Sequence, residues 1–428
     1  MTMEIMEKTL TFILAGGTGS RLFPLTSDRA KPAVPFGGIY RIIDFTLSNC
    51  LHSGLRRMLI LTQYKSHSLQ KHVRDGWSIF NPEINEYITT VPAQMRIGEG
   101  WYAGTADAIN QNRFLLERSN ADFILILAGD HIYRMDYARM LEEHVRRKFD
   151  VTVGTVLIPV SESKSFGVME IDDDLLIRKF FEKSETSHPM RGDPSHALAS
   201  MGIYVFNRKF LLDILDKSAS ETPPWNDFGR DILPSIVGTN TVGAYRFGGV
   251  EDRIIQDGYW RDVGTLDAYY EANMDLLKPM PPLNLYQKDW PIRTYHGQYP
   301  PARNVSSPTG EPVSGTNTLL SGGDLIVGAR ISHSILGPDV WVDNGAVIED
   351  SILFAGVRVG AGARLKRCIV EKQVKIPANE RIGWDLENDR RNFTVSEGGV
   401  VVVPIVNRCD RHLESSDKLN NILNRAEY

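Results

Sequence analysis

The chain has 428 residues, 48 basic and 53 acidic, for a formal charge of −5. Near-balance argues against general nucleic-acid binding, and the length allows two or more domains with a large core. No apolar run approaches the roughly 18 residues a membrane span needs, and the N-terminus MTMEIMEKTL carries acidic residues and lacks a signal-peptide core. Three cysteines (Cys50, Cys368, Cys409) are too far apart in sequence for a metal spacing or a disulfide framework, which fits a reducing cytoplasm.

Leu10–Leu14 reads as a buried strand, and the stretch after it runs LAGGTGSRLFPLTSDRAKPAVPFGG from Leu14 to Gly38. Glycines let backbone N–H groups approach phosphate oxygens, and Arg or Lys neutralises the remaining charge. Gly17-Thr18-Gly19-Ser20-Arg21-Leu22 starts like a dinucleotide fingerprint, but Leu22 occupies the third glycine's position. No P-loop pattern occurs either.

Further strands are expected at Arg57–Leu61, Phe123–Leu127, Val151–Leu157 and Gly202–Phe206, with amphipathic helices at Asn110–Arg118 and Met135–Arg147. Short apolar runs alternating with helical stretches imply an α/β fold: a Rossmann-like, mostly parallel sheet with its ligands beyond the C-terminal strand ends. Asp130 falls just past one such end.

Residues 276–315 are rich in proline and polar residues and read as a linker between a domain at 1–275 and another at 316–428. In the last part, aliphatics recur in steps of roughly six, as in Val340-Trp341-Val342, Val357-Arg358-Val359 and Ser351-Ile352-Leu353. Stacked coils of a β-helix would bury such a column; a small sandwich of short strands is the alternative.

The order of motifs resembles the sugar-1-phosphate nucleotidyltransferases, and more narrowly the bacterial glucose-1-phosphate adenylyltransferase family. The resemblance runs through Arg41-Ile42-Ile43-Asp44, Trp101–Ala108, Leu127–Tyr133, Phe166-Gly167-Val168-Met169, Ala199–Phe206, Asp227-Phe228-Gly229 and Tyr259–Thr265. It implies a left-handed β-helix for the last domain, a cytoplasmic homotetramer, and synthesis of ADP-glucose from ATP and glucose 1-phosphate. UTP or dTTP enzymes, and non-catalytic regulatory subunits, are the competing readings. The Trp101–Ala108 and Arg41–Asp44 blocks favour ATP, and the intact candidate residues favour activity.

The roles implied by the resemblance are specific. Arg21 and Lys31 would hold ATP phosphates, with Gly16, Gly17 and Gly19 supplying backbone N–H groups. Asp130 and Asp262 would hold Mg²⁺, since carboxylates suit a hard cation; the local alternatives are an Asx-turn for Asp130 and a helix N-cap for Asp262. Tyr102, Gly167, Glu182, Lys183, Ser200 and Tyr204 would line the glucose 1-phosphate site. The family usually has proline after that Glu-Lys pair, and this chain has Ser184. His131 reads as structural, because a phosphate nucleophile needs no general base.

The family's anionic metabolite effectors imply a basic cleft, for which Arg29, Arg41 and Arg367 are the matching positions. Strongly regulated members carry lysine directly before Arg-Ala-Lys-Pro. Here that residue is Asp28, which implies weaker activation by sugar phosphates.

Overall fold

The computed structural model describes residues 2–94, 100–248, 258–307 and 314–405; Cys409 lies outside them. The contacts group into two compact units. The first holds residues 1–18, 43–260 and 288–292, and the second holds 19–42, 261–287 and 293–428.

The first unit is built on a nine-stranded mixed sheet. Its parallel part has Thr9–Ala15 at the centre, flanked by Phe123–Ala128 on one side and by Arg57–Thr62 and then Tyr87–Pro92 on the other. The central strands are apolar at nearly every position because both faces are covered: Phe12, Ile60, Ile124 and Ile126 have no exposed surface. The strand expected at Gly202–Phe206 extends over His196–Asn207 and runs antiparallel to Phe123–Ala128 and to Val151–Pro159. Its register against Val151–Pro159 shifts between Ser200 and Tyr204, where Gly202 takes φ +68°. A bulge there needs a left-handed residue, and glycine adopts it without a Cβ clash.

The helix expected at Met135–Arg147 spans Tyr137–Arg147, started by Asp136 accepting from the Ala138 N–H at 3.0 Å. The helix expected at Asn110–Arg118 is instead two, Thr105–Gln111 and Arg113–Arg118. Asn112 breaks it: its amide donates to the Ala108 carbonyl at 2.8 Å and to the Tyr102 hydroxyl at 2.9 Å. An Asn amide that competes for helix carbonyls is a local breaker.

The second unit contains a parallel β-helix of three ladders. One ladder steps through Trp341, Arg358 and Lys375, so each of these coils takes 17 residues. Val342, Ile348, Leu353, Val359, Leu365 and Val370 point into the coil and are at most 1% exposed. Arg303–Val305 falls within the proline-rich segment expected to be linker and Ser314–Thr316 straddles its end, and both pair with the first full coil. The corners repeat with the coils. His333, Asp350 and Arg367 occupy one corner with φ of +45°, +49° and +47°. Each such non-glycine corner costs on the order of 1 kcal/mol, offset by the buried aliphatic column.

One carboxylate inside this unit makes stability pH-dependent. Asp324 is 1% exposed and accepts from the Ser321 and Val340 N–H groups at 2.7 and 3.0 Å. Burial outweighs those bonds and raises its carboxyl to about 7. The folded state therefore holds a proton that the unfolded chain releases near pH 4. The Asp324 contribution to stability is fully present below about pH 4 and is lost as pH rises to about 7, up to about 4 kcal/mol. Melting curves of the wild type and Asp324→Asn between pH 5 and 8 check this. The wild-type midpoint should fall relative to the variant as pH rises; parallel profiles would exclude the linkage.

Candidate active site

In the first unit, the Thr9–Ala15 strand ends at Gly16 and Gly17. A Cβ on Gly16 would lie 3.2 Å from Gln63, whereas one on Gly17 would meet nothing within 4 Å. The Gly17 backbone is thus open to an approaching ligand. Gln63 accepts from the Tyr102 N–H at 2.6 Å, and Asn112 holds the Tyr102 hydroxyl. Tyr102 is fixed at both ends beside the glycines.

Asp130 follows the Phe123–Ala128 strand, and the Gly129 N–H is tied to the Leu14 carbonyl at 3.0 Å. Its carboxylate lies 3.6 Å from His131 Nε2. A partly exposed carboxylate at a strand end fits a hard divalent cation. The His131 ring packs edge-on against Trp260, centroids 4.9 Å apart, and Trp260 packs on Phe166 at 5.5 Å.

A second cluster gathers the expected sugar-phosphate residues. Glu182 ends the Ile177–Glu182 strand, and its Oε2 sits where a Cβ on Gly167 or on Gly229 would come within 2.6 Å. A side chain at either position would displace the carboxylate from where it sits. Burial raises the Glu182 carboxyl, Lys183 opposes that shift, and Asp227 adds to it. Lys183 takes φ +46°, with its Nζ 3.5 Å from Glu182 Oε1. A lysine held left-handed at a strand end stores strain of the kind found at ligand sites. Burial raises the Tyr204 phenol, which bonds to Ser200 and feels Asp227 and Glu182.

Asp227 and Gly229 were named in the sequence only as part of a motif. Asp227 accepts from the Gly229 and Arg230 N–H groups at 2.9 and 3.0 Å and from the Thr105 hydroxyl at 2.9 Å. The signal that finds it is Asp two residues before Gly at a helical start.

In the second unit, Gly19 takes φ +62° and its carbonyl accepts from the Thr26 hydroxyl at 2.9 Å. The turn carries Arg21 forward and brings Lys31 back. Lys31 Nζ contacts Asp262 Oδ1 at 2.9 Å with the lysine buried. A Cβ on Gly264 would lie 3.1 Å from Arg21 Nη2 and from Asp262 Oδ2, so these three residues are neighbours. Asp262 is not the helix cap. Thr265 caps Leu266–Asp275 by accepting from the Ala268 N–H at 3.2 Å.

The three expected effector residues differ in state. Arg29 is fully engaged by Glu371, at 2.5 and 2.9 Å. Arg41 donates to the Ala33 carbonyl. Arg367 lies 5.0 Å over the Tyr270 ring and donates to the Gly398 carbonyl at 3.1 Å. Sequence reasoning missed Glu371 and Lys372. Burial lowers the Lys372 amine, as do Arg29 and Arg41, while Glu371 and Asp28 oppose them. Neither residue stands in a phosphate-like motif, so only the fold could place them beside Arg29.

Residues 10–279 match the nucleotidyl transferase family model, and 300–403 match the GlmU-like C-terminal hexapeptide model, whose coils are those of a left-handed β-helix. Glucose-1-phosphate adenylyltransferase 2 of Vibrio cholerae is 55% identical over 399 residues, covering 93% of this chain and 98% of that protein. The glucose-1-phosphate adenylyltransferases of Methylococcus capsulatus and Yersinia pseudotuberculosis are 47% and 46% identical, over 94% of this chain. With identity at this level along nearly the whole length of both partners, the chain belongs to the glucose-1-phosphate adenylyltransferase family of nucleotidyltransferases.

Proposed function

We infer that the chain transfers the adenylyl group of ATP to glucose 1-phosphate, giving ADP-glucose and pyrophosphate for α-1,4-glucan (glycogen) synthesis. The observation that carries this is identity with enzymes of that name over more than nine-tenths of the chain. A phosphate oxygen of glucose 1-phosphate attacks the α-phosphorus of ATP; that P–O bond forms as the bond to pyrophosphate breaks. The nucleophile is already an anion, so the barrier lies in bringing two anions together.

This chain's residues answer that problem. Arg21 and Lys31 neutralise ATP phosphates, and the N–H groups of Gly16, Gly17 and Gly19 bond to them. In the free protein Lys31 is neutralised by Asp262. Phosphate arriving at Lys31 would release that carboxylate to a cation. A divalent ion, proposed as Mg²⁺ on Asp130 and Asp262, supplies further charge neutralisation when bound. Glu182 accepts from sugar hydroxyls, Lys183 binds the sugar's phosphate, and Tyr102, Gly167, Ser200 and Tyr204 shape the rest of that site.

The chain order proposed is a catalytic domain at 1–275, a linker at 276–315 and a regulatory β-helix domain at 316–428. A cytoplasmic homotetramer with anionic effectors at Arg29, Arg41 and Arg367 completes the reading. No described helix is long and apolar enough to cross a membrane. Asp28, exposed beside Arg29, opposes an anionic activator.

The test is pyrophosphate release from glucose 1-phosphate with ATP, UTP, dTTP, CTP and GTP, with and without fructose 1,6-bisphosphate. ATP should be preferred by about 10²-fold or more in kcat/KM, with activation by the bisphosphate weak. Equal use of UTP or dTTP would overturn the nucleotide assignment, and strong activation at micromolar bisphosphate would overturn the role of Asp28.

A further inference from the structure

A cleft in the first unit has no part in the catalytic reading. It has a volume of about 550 Å³ and lies at the Arg57–Thr62 and Tyr87–Pro92 strands, with Arg118 and Asn120 at its rim. That volume is within the range of small-molecule sites. Leu59 and Leu115 give it an apolar surface, and Tyr87 gives it an aromatic one. No carboxylate lines it.

The charge around this cleft is unbalanced. Arg57 is only 6% exposed, yet its guanidinium donates only to neutral acceptors: Asn120 Oδ1 at 2.7 Å, the Thr9 carbonyl at 3.3 Å and the Glu7 carbonyl. Arg118 is exposed and lies 5.6 Å over the Phe114 ring. Three of the acidic residues nearby in sequence pair with other cations: Glu86 with Arg56 at 3.8 Å, Glu117 with Arg113 at 2.6 Å, and Asp122 with Lys8 at 3.6 Å. Among the described residues neither Arg57 nor Arg118 has an ion pair. A buried cation without a counter-ion is costly, and an anion that reaches it recovers that cost. Burial keeps the Tyr87 phenol above its ordinary value, so it stays a hydroxyl donor at neutral pH.

We propose that this cleft is a second, non-catalytic binding site for an organic phosphate monoester. The dianionic phosphate sits between Arg57 and Arg118, with Asn120 and the Tyr87 hydroxyl as neutral partners. The organic group packs on Leu59 and Leu115. Two guanidinium groups without a carboxylate match a dianion better than a monoanion, and guanidinium–phosphate pairing is charge-assisted.

The experiment is calorimetric titration of phenyl phosphate into the full-length protein saturated with ADP-glucose, so that the substrate site is filled. Wild type should bind at sub-millimolar concentration. Arg118→Glu, an exposed position, should weaken binding by about tenfold or more while leaving turnover unchanged. Leu115→Trp, which fills the cleft, should weaken it as well. Arg367→Glu should leave it intact, which separates this cleft from the effector residues of the second unit. Wild-type binding that is absent, unaltered by Arg118→Glu, or abolished by Arg367→Glu would overturn the proposal.

Discussion

Asp130→Asn is expected to lower kcat by about 10³-fold or more, the scale of losing a principal electrostatic group in a transition state. The fold should survive. The Asp130 side chain is 32% exposed, and its neighbour Gly129 is held by backbone bonding to the Leu14 carbonyl rather than by the carboxylate. Asn keeps the shape and one acceptor oxygen, exchanging the charge and the other oxygen for a neutral NH2 donor at a partly exposed position, so the melting midpoint should move by no more than a degree or two. Circular dichroism and thermal melting read the fold; pyrophosphate release under excess metal reads the chemistry. A rate within tenfold of wild type would remove Asp130 from the proposed metal site. A rate restored in proportion to added metal would place the residue in metal affinity rather than in charge stabilisation.

How much of this was legible in the sequence depends on the range of each interaction. Leu10–Leu14 and Phe123–Leu127 were readable because strands buried on both faces are apolar throughout. The β-helix was readable because one coil cannot bury its aliphatics alone, and so the pattern must repeat. Other features were hidden in single residues. Asn112 divides a helix that periodicity runs through, because its amide finds Tyr102 and the Ala108 carbonyl. The bulge at Gly202 lengthens a strand that alternation would have ended. Asp262 looked as much like a cap as a ligand; Thr265 takes the cap, and Asp262 pairs with Lys31, which is 231 residues away. Glu371 was invisible for the same reason: its partner Arg29 is 342 residues distant. Motifs report what a site must contain, whereas charge pairing across the chain reports the state in which those groups are held.

Glu371 carries the other large effect. Its side chain and that of Arg29 are each 4% exposed and joined by two charged hydrogen bonds. Glu371→Ala leaves a buried guanidinium unpaired and should cost about 3–5 kcal/mol, lowering the melting midpoint by roughly 3–6 °C. The double replacement Arg29→Met, Glu371→Leu removes both charges and should recover most of that loss. The same pair bears on the proposed effector site. Lys372, Arg29 and Arg41 form a basic group whose opposing charges are Glu371 and Asp28. An anionic effector that needs Arg29 must take it from Glu371. Glu371→Gln keeps the side-chain shape but weakens that grip, leaving Asp28 as the remaining opposing charge. Half-saturation by an anionic activator should then fall by about fivefold or more, because one unit charge is worth about 1 kcal/mol or more at this range. The measurement is an activator titration of the Gln variant beside its melting curve. An unchanged midpoint for Glu371→Ala would mean that water already reaches the guanidinium. An unchanged half-saturation for Glu371→Gln would mean that effectors bind without displacing Glu371, and Arg29 would then belong to the architecture of the unit rather than to its ligand site.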